Sequence, residues 1–175
     1  DLNHVFYTCG GSTANDAAFR LIQMYHGARG KKQKRHILCR HDAYHGTTYL
    51  AASLSGKAGD RMPDFEYIED TIHHLTSPNF YRAPEGMDEA VFCDYLIDEM
   101  ARKIGELGAE NIAAFFAEPF LGSGGVIVPP DGYNRRTWEL CQEHDIIYLA
   151  DEVVTGFGRL GHWFVSKDMF DIEPD

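Results

Sequence analysis

Two short apolar runs constrain this chain most: residues 112–117 (IAAFFA) and 146–150 (IIYLA). Apolar runs this short, without alternation, are what strands buried on both faces look like. The stretch before each has a helical period. Phe92, Tyr95, Leu96, Met100, Ile104 and Leu107 line one face, with Asp88 as the expected cap and Gly108 as the end. Residues 132–143 are expected to form a second helix. Residues 36–39 (HILC) and 5–8 (VFYT) read as further strands. After the latter, Ala14, Ala17, Ala18, Leu21, Ile22 and Tyr25 recur at helical spacing, and Ser12 or Thr13 could cap that helix. A short helix is expected over 46–54, and residues 56–87, with Pro63, Pro78 and Pro84, read as irregular. A loop of that length usually carries function or wraps a partner. Strands separated by helices imply an α/β fold, a mostly parallel sheet flanked by helices. In such sheets ligands sit beyond the carboxyl ends of the strands.

Composition narrows the function. The formal net charge of −11 over 175 residues opposes binding to a nucleic-acid backbone or an anionic membrane surface. The basic stretch 29–36 (RGKKQKRH) therefore reads as a solvated connection. No apolar run reaches the roughly 18 residues of a membrane span, and no signal peptide is recognisable. Cys9, Cys39, Cys93 and Cys141 are far apart and form no CxxC pair, so they read as reduced thiols of a cytoplasmic protein. Both ends read as cut through a domain, which makes 1–175 an expected fragment.

Three polar or glycine-rich clusters fall at the expected carboxyl ends of strands. Gly10-Gly11-Ser12-Thr13 opens a helix, where free N–H groups and the helix dipole favour an anion such as phosphate; a plain strand–helix turn fits as well. Asp151 ends a buried strand and shares a face with Val153, while Glu152 looks away. A carboxylate there needs a cation or strong donors. A protonated pyridine nitrogen, a nearby loop or a metal beside Glu152 would each serve. Glu118 ends another strand, with Gly122, Gly124 and Gly125 after it, and either orients a neighbour or begins a flexible turn. Tyr44-His45-Gly46 could lay an aromatic ring flat on a planar ligand. His41 and His45 lack a completing ligand at usual spacing, so no metal site is expected.

Four stretches in order, VFYTCGGSTAN (5–15), DAYHGTT (42–48), AEPFLGSGG (117–125) and LADEVVTGFGRLG (149–161), resemble the class III aminotransferases, pyridoxal phosphate enzymes of fold type I. The resemblance implies the central part of the large cofactor-binding domain and the cofactor pyridoxal 5'-phosphate (PLP). It implies Gly11 and Ser12 on the phosphate, Tyr44 stacked on the pyridine ring and Val153 on its other face. Asp151 would pair with the ring nitrogen as a catalytic carboxylate, and Glu118 would be the second acid of the catalytic set, one that orients a neighbour. Gly156, Gly158 and Arg159 would shape the loop. The sequence departs from the family's pattern at Gly10, Thr13 and Leu160, which bears on the substrate more than on the cofactor. The implied reaction moves an amino group from a small amine donor to a keto acid acceptor by a ping-pong mechanism, in a homodimer. Racemase, decarboxylase, aminomutase and phospholyase relatives share the ring-binding residues, and a catalytically dead binding protein would keep the fold. The cofactor's lysine is expected shortly after a Pro-Asp like Pro174-Asp175, so it, the small domain and the substrate-carboxylate arginine are expected outside these residues. Lys167 stands in the wrong context for that role. The chain alone is expected not to turn over.

Overall fold

Strand and helix alternate through residues 3–175, which are those the computed structural model describes. The order is α1 (Gly11–Ala28), β1 (His36–Arg40), α2 (Tyr49–Leu54), β2 (Ile72–Leu75), α3 (Glu89–Leu107), β3 (Ile112–Ala117), α4 (Tyr133–Glu143), β4 (Ile147–Ala150) and α5 (Val165–Phe170). The strands form one parallel four-stranded sheet in the order β2-β1-β3-β4. The period of two along each strand divides its side chains between two layers. Leu38, Phe115 and Tyr148 pack with Met100, Ile104 and Cys141 of α3 and α4. Ile37, Cys39 and Phe116 pack with Ile22 and Leu54 of α1 and α2.

Local signals account for most boundaries. Asp88 Oδ1 accepts from Val91 N (2.9 Å), and Gly108 takes a φ of 77° to end α3. Between β1 and β3 the register shifts: His36 pairs with Ile112, but Ile37 pairs with Ala114. The extra residue, Ala113, leaves a carbonyl that the buried His26 of α1 meets through Nε2 (3.0 Å). This shift is why Ile112 and Phe115 share one face of β3 although they are an odd number of residues apart.

Four expectations change. Residues 5–8 are not a strand: Val5, Phe6 and Tyr7 are 72%, 71% and 88% exposed, and no ladder bond reaches them among the described residues. β-Rich composition is not enough without an edge to pair with. Helix α1 starts at Gly11 with Gly10 as its N-cap, and neither Ser12 nor Thr13 caps it. Its buried stripe is Asn15, Ile22 and His26, while Leu21 and Tyr25 stay about half exposed (52% and 47%). The period does select an apolar face, but that face stays largely exposed, and the buried stripe runs along its border with the polar side. Polar contacts to Asp151 and Ala113 fix that stripe. Finally, the irregular stretch contains β2, and α5 is an additional helix. Two histidines inside IHHL hide the alternation of an edge strand.

Candidate functional site

The carboxyl ends of β1, β3 and β4 and the first turn of α1 come together at one edge of the sheet. Asp151, directly after β4, donates its N–H to Ala117 O of β3 (2.8 Å). Its side chain is buried, 7% exposed. Oδ2 accepts from Asn15 Nδ2 (3.0 Å) and from His45 Nδ1 (2.8 Å), and Oδ1 accepts from Val153 N (3.2 Å). An ionised carboxylate only accepts, so the His45 proton facing it sits on Nδ1. Burial on its own would raise the Asp151 pKa. The bond and charge of His45, the Asn15 amide and the Val153 N–H outweigh it and hold the carboxyl below its ordinary value.

Asn15 and His45 are further residues of the site, and pattern reading had not assigned them this place. Asn15 Nδ2 also donates to His45 O (2.8 Å), so one amide joins α1, the loop after β1 and Asp151. In the sequence it is one of two adjacent polar residues, with Asp16, in the first turns of the helix. His45 is fixed by its own N–H on Ser55 Oγ (2.8 Å) and by an edge-on contact with Phe116 at 6.0 Å.

Glu118 follows β3 and is 3% exposed. Its Oε1 accepts from Tyr44 N (2.9 Å) and its Oε2 from Gly122 N (3.1 Å). Burial raises its pKa despite those bonds and the nearby His45 and Arg40. Glu118 thus holds the main chain of Tyr44, whose side chain remains open to solvent in part (36%). At Gly124 an added Cβ would lie 2.4 Å from Asp42 O, so the loops after β1 and β3 touch main chain to main chain.

Gly11 faces Val153, whose Cγ2 would lie 3.2 Å from a Cβ placed there; Val153 is 69% exposed. Ser12 Oγ accepts from Thr47 N (3.1 Å), and Gly46 packs so closely on Ser12 that no side chain fits between them. Contacts therefore link the six residues singled out in the sequence along one edge of the sheet: Asp151 with Val153, Val153 with Gly11, Ser12 with the loop after β1, and that loop's Tyr44 with Glu118. Glu152 points away, as its strand parity requires, and spends both oxygens on Val165 N (2.8 Å) and Ser166 N (2.9 Å) at the start of α5. Residues 157–163 fold back on themselves through Phe157 N to Trp163 O and Gly158 N to His162 O, both 2.8 Å. His41 stacks on His74, away from His45, and Lys167 lies on α5, paired with Glu173 (2.5 Å). Among the described residues no group of three or more His, Cys, Asp or Glu is arranged around a metal-sized point.

The whole of the chain is similar to known proteins. A model described as aminotransferase class-III matches residues 1–175. A putrescine–pyruvate aminotransferase of Pseudomonas aeruginosa is 42% identical over 95% of the chain and 36% of its own length. A vanillin aminotransferase of Capsicum frutescens is 42% identical over 98% of the chain and 37% of its own length. Among solved structures, an omega transaminase from Pseudomonas jessenii in complex with PMP superposes with a TM-score of 0.90 at 41% identity, covering 96% of this chain and 37% of that one. The chain therefore spans little more than a third of the length of the relatives it matches.

Proposed function

Since the chain belongs to the class-III aminotransferase family, we propose that it is the central, cofactor-holding part of the large domain of an enzyme that uses PLP. The enzyme would move an amino group from a small amine or ω-amino acid to a keto acid such as pyruvate or 2-oxoglutarate, by a ping-pong mechanism. Asp151 carries this reading: a buried carboxylate, held ionised, at the carboxyl edge of a parallel sheet beside a helix N-terminus.

The donor set fits PLP. A low-pKa carboxylate is the natural counterpart of a protonated pyridine nitrogen. The first turn of α1 has N–H groups without intrahelical acceptors and no acidic side chain, which suits a phosphate. Ser12 already accepts from Thr47 and keeps its own proton to donate. Tyr44 and Val153 leave apolar surface open for the two faces of a ring.

When bound, PLP supplies an electron sink for the carbon that carries the amino group. The chain's own residues do the rest. Asp151 would hold the proton on the ring nitrogen, and Asn15 and His45 keep Asp151 aimed and ionised. Gly11 and Ser12 would hold the phosphate. Tyr44 and Val153 would keep the ring plane from turning, which is a positioning contribution. The reading extends to a homodimer in the cytoplasm. Large exposed apolar side chains such as Phe157 (78%) and Trp163 (72%) support the former. Free cysteines, and no helix long and apolar enough to cross a membrane among the described residues, accord with the latter.

The test is a PLP titration of the full-length protein followed by visible absorbance, then addition of an amine donor without keto acid. Saturable binding and amine-dependent loss of the visible band, with a carbonyl product formed in proportion, are expected. Asp151→Asn is expected to slow that half-reaction by about a hundredfold or more. Amine that is epimerised, decarboxylated or eliminated while the band persists would move the assignment to one of the other PLP reactions. A protein that binds no PLP would overturn the reading.

A further inference from the structure

We propose that Arg40, buried at the carboxyl edge of the sheet, is a positioning residue that keeps Glu118 and Tyr44 locked together. The inference rests on the reading of that edge as a PLP site, with Tyr44 against the ring.

Arg40 closes β1 and is 0% exposed, heading by volume the fully buried side chains among the described residues. A guanidinium is always charged, and burying it is costly unless its surroundings compensate. Among the described residues it forms no ion pair with a carboxylate. Nη2 donates to Glu118 O at 2.5 Å, and Nε and Nη1 have no hydrogen-bond partner. The rings of Phe115 and Tyr133 face the guanidinium, with centroids 5.7 and 5.9 Å from its carbon. So costly a group needs a reason beyond packing, and its hydrogen bond to Glu118 O supplies it.

The bonds form a closed circuit. The Arg40 side chain grips the main chain of Glu118. The Glu118 side chain grips the main chain of Tyr44, which lies in the loop that Arg40 opens. The ends of β1 and β3 are thereby tied in both directions. Asn134 Nδ2, on α4, holds the adjoining Pro119 O (3.0 Å) from the other side.

The circuit also has an electrical condition. Two N–H groups, of Tyr44 and Gly122, point at the two oxygens of Glu118, so the carboxyl satisfies both fully only when ionised. Burial opposes that ionisation, and Arg40 is among the groups that favour it. The other titratable groups around the pair are His45 after β1, Cys39 on β1, Tyr133 at the start of α4 and Tyr148 on β4. Burial raises the pKa of Cys39, Tyr133 and Tyr148, which leaves them neutral. Arg40 is the one permanent cation of this set. Without it, Glu118 takes up a proton at a higher pH, one N–H loses its acceptor, and Tyr44 is released.

The experiment measures PLP affinity of the full-length protein from about pH 5.5 to about pH 8.5, together with hydrogen exchange at the Tyr44 amide without cofactor. Each variant's affinity is read as a ratio to wild type at the same pH, which cancels the titration of the PLP phosphate near about pH 6. Arg40→Met is expected to weaken binding, with a loss approaching about tenfold per pH unit below the raised Glu118 pKa. Glu118→Gln in that background should remove that extra slope, because the group whose ionisation Arg40 supports is gone. A folded Arg40→Met protein with the wild-type profile, or with a uniform loss that Glu118→Gln does not alter, overturns the proposal. If Arg40→Met does not fold, Arg40→Lys decides, because lysine keeps the charge and loses the fork. Its expected loss of about three- to tenfold should vanish in a Glu118→Gln background, whereas full additivity overturns the proposal. A wild-type protein that binds no PLP sinks the cofactor reading alone. Tyr44 exchange then decides the lock: faster exchange in the Arg40 variant supports it, and unchanged exchange overturns it.

Discussion

At Gly46 the backbone admits a single residue type. Its φ is +126°, and a Cβ there would lie 2.3 Å from Ser12 Oγ and 2.8 Å from Ser12 Cα. Gly46→Ala is expected to lower stability by about 2 kcal/mol or more in urea unfolding, and to weaken PLP binding by displacing the first turn of α1. Asp151 has a second, pH-dependent signature. Its pKa is depressed in the folded state, so it contributes stability above the ordinary aspartate pKa and loses it as pH falls through the folded value. Asp151→Asn should therefore destabilise by about 1–2 kcal/mol near neutral pH, and the difference should shrink below about pH 4. An increasing difference on acidification would contradict the assignment. Asp151, Glu118, Tyr44, Gly11, Ser12 and Val153 could be placed from the sequence because each lies in a short motif at the end of an element. Asn15 could not, since its partner Asp151 is 136 residues away and nothing local distinguishes it from other helix residues.

Among the elements, β2 is the sheet edge that carries its own acid sensitivity. His73 Nε2 meets His36 Nδ1 at 2.9 Å, and the ring of His74 stacks on His41 at 5.4 Å. Burial first, then the charges of His41 and Arg61, push the His74 pKa down from 6.5 to about 4. The folded state thus keeps His74 neutral where the unfolded chain would take up a proton. Its contribution is complete above about pH 6.5 and is lost as pH falls towards 4. His74→Gln should flatten that part of the stability–pH curve, measured by denaturant unfolding at each pH. Helix α3 offers the opposite kind of change. Gly105 lies exposed in its last turn with nothing within 4 Å of an added Cβ. Gly105→Ala is expected to raise stability by about 0.5–1 kcal/mol with no effect on PLP binding. Apolar period and caps made α3, α4, β1, β3 and β4 readable. The shortness of β2 and α5, and the lack of a partner edge for residues 5–8, left those three unreadable without the fold.

On the scale of the whole molecule, the sheet separates two cores and gathers its polar residues at one edge. Among the large apolar side chains that remain outside, Phe157, Trp163 and Phe164 (78%, 72% and 53% exposed) cluster on the turn just beyond Asp151. In the proposed homodimer they would be covered by the second copy. Trp163→Arg is expected to weaken self-association of the full-length protein by about thirtyfold, a hot-spot loss of about 2 kcal/mol, read by light scattering against concentration. The sequence by itself determined the alternation of strand and helix, the parallel sense of the sheet, the edge where chemistry would gather and the residues ending each strand there. Those features follow from hydrophobic period and steric preference, which act over a few residues. Tertiary structure alone decided which face of α1 is buried, the register shift that His26 fills, the capture of Asp151 by Asn15 and His45, and the circuit from Arg40 through Glu118 to Tyr44. Each of these is a hydrogen bond between groups distant in the chain. Its worth depends on burial, and burial exists only once the layers have closed.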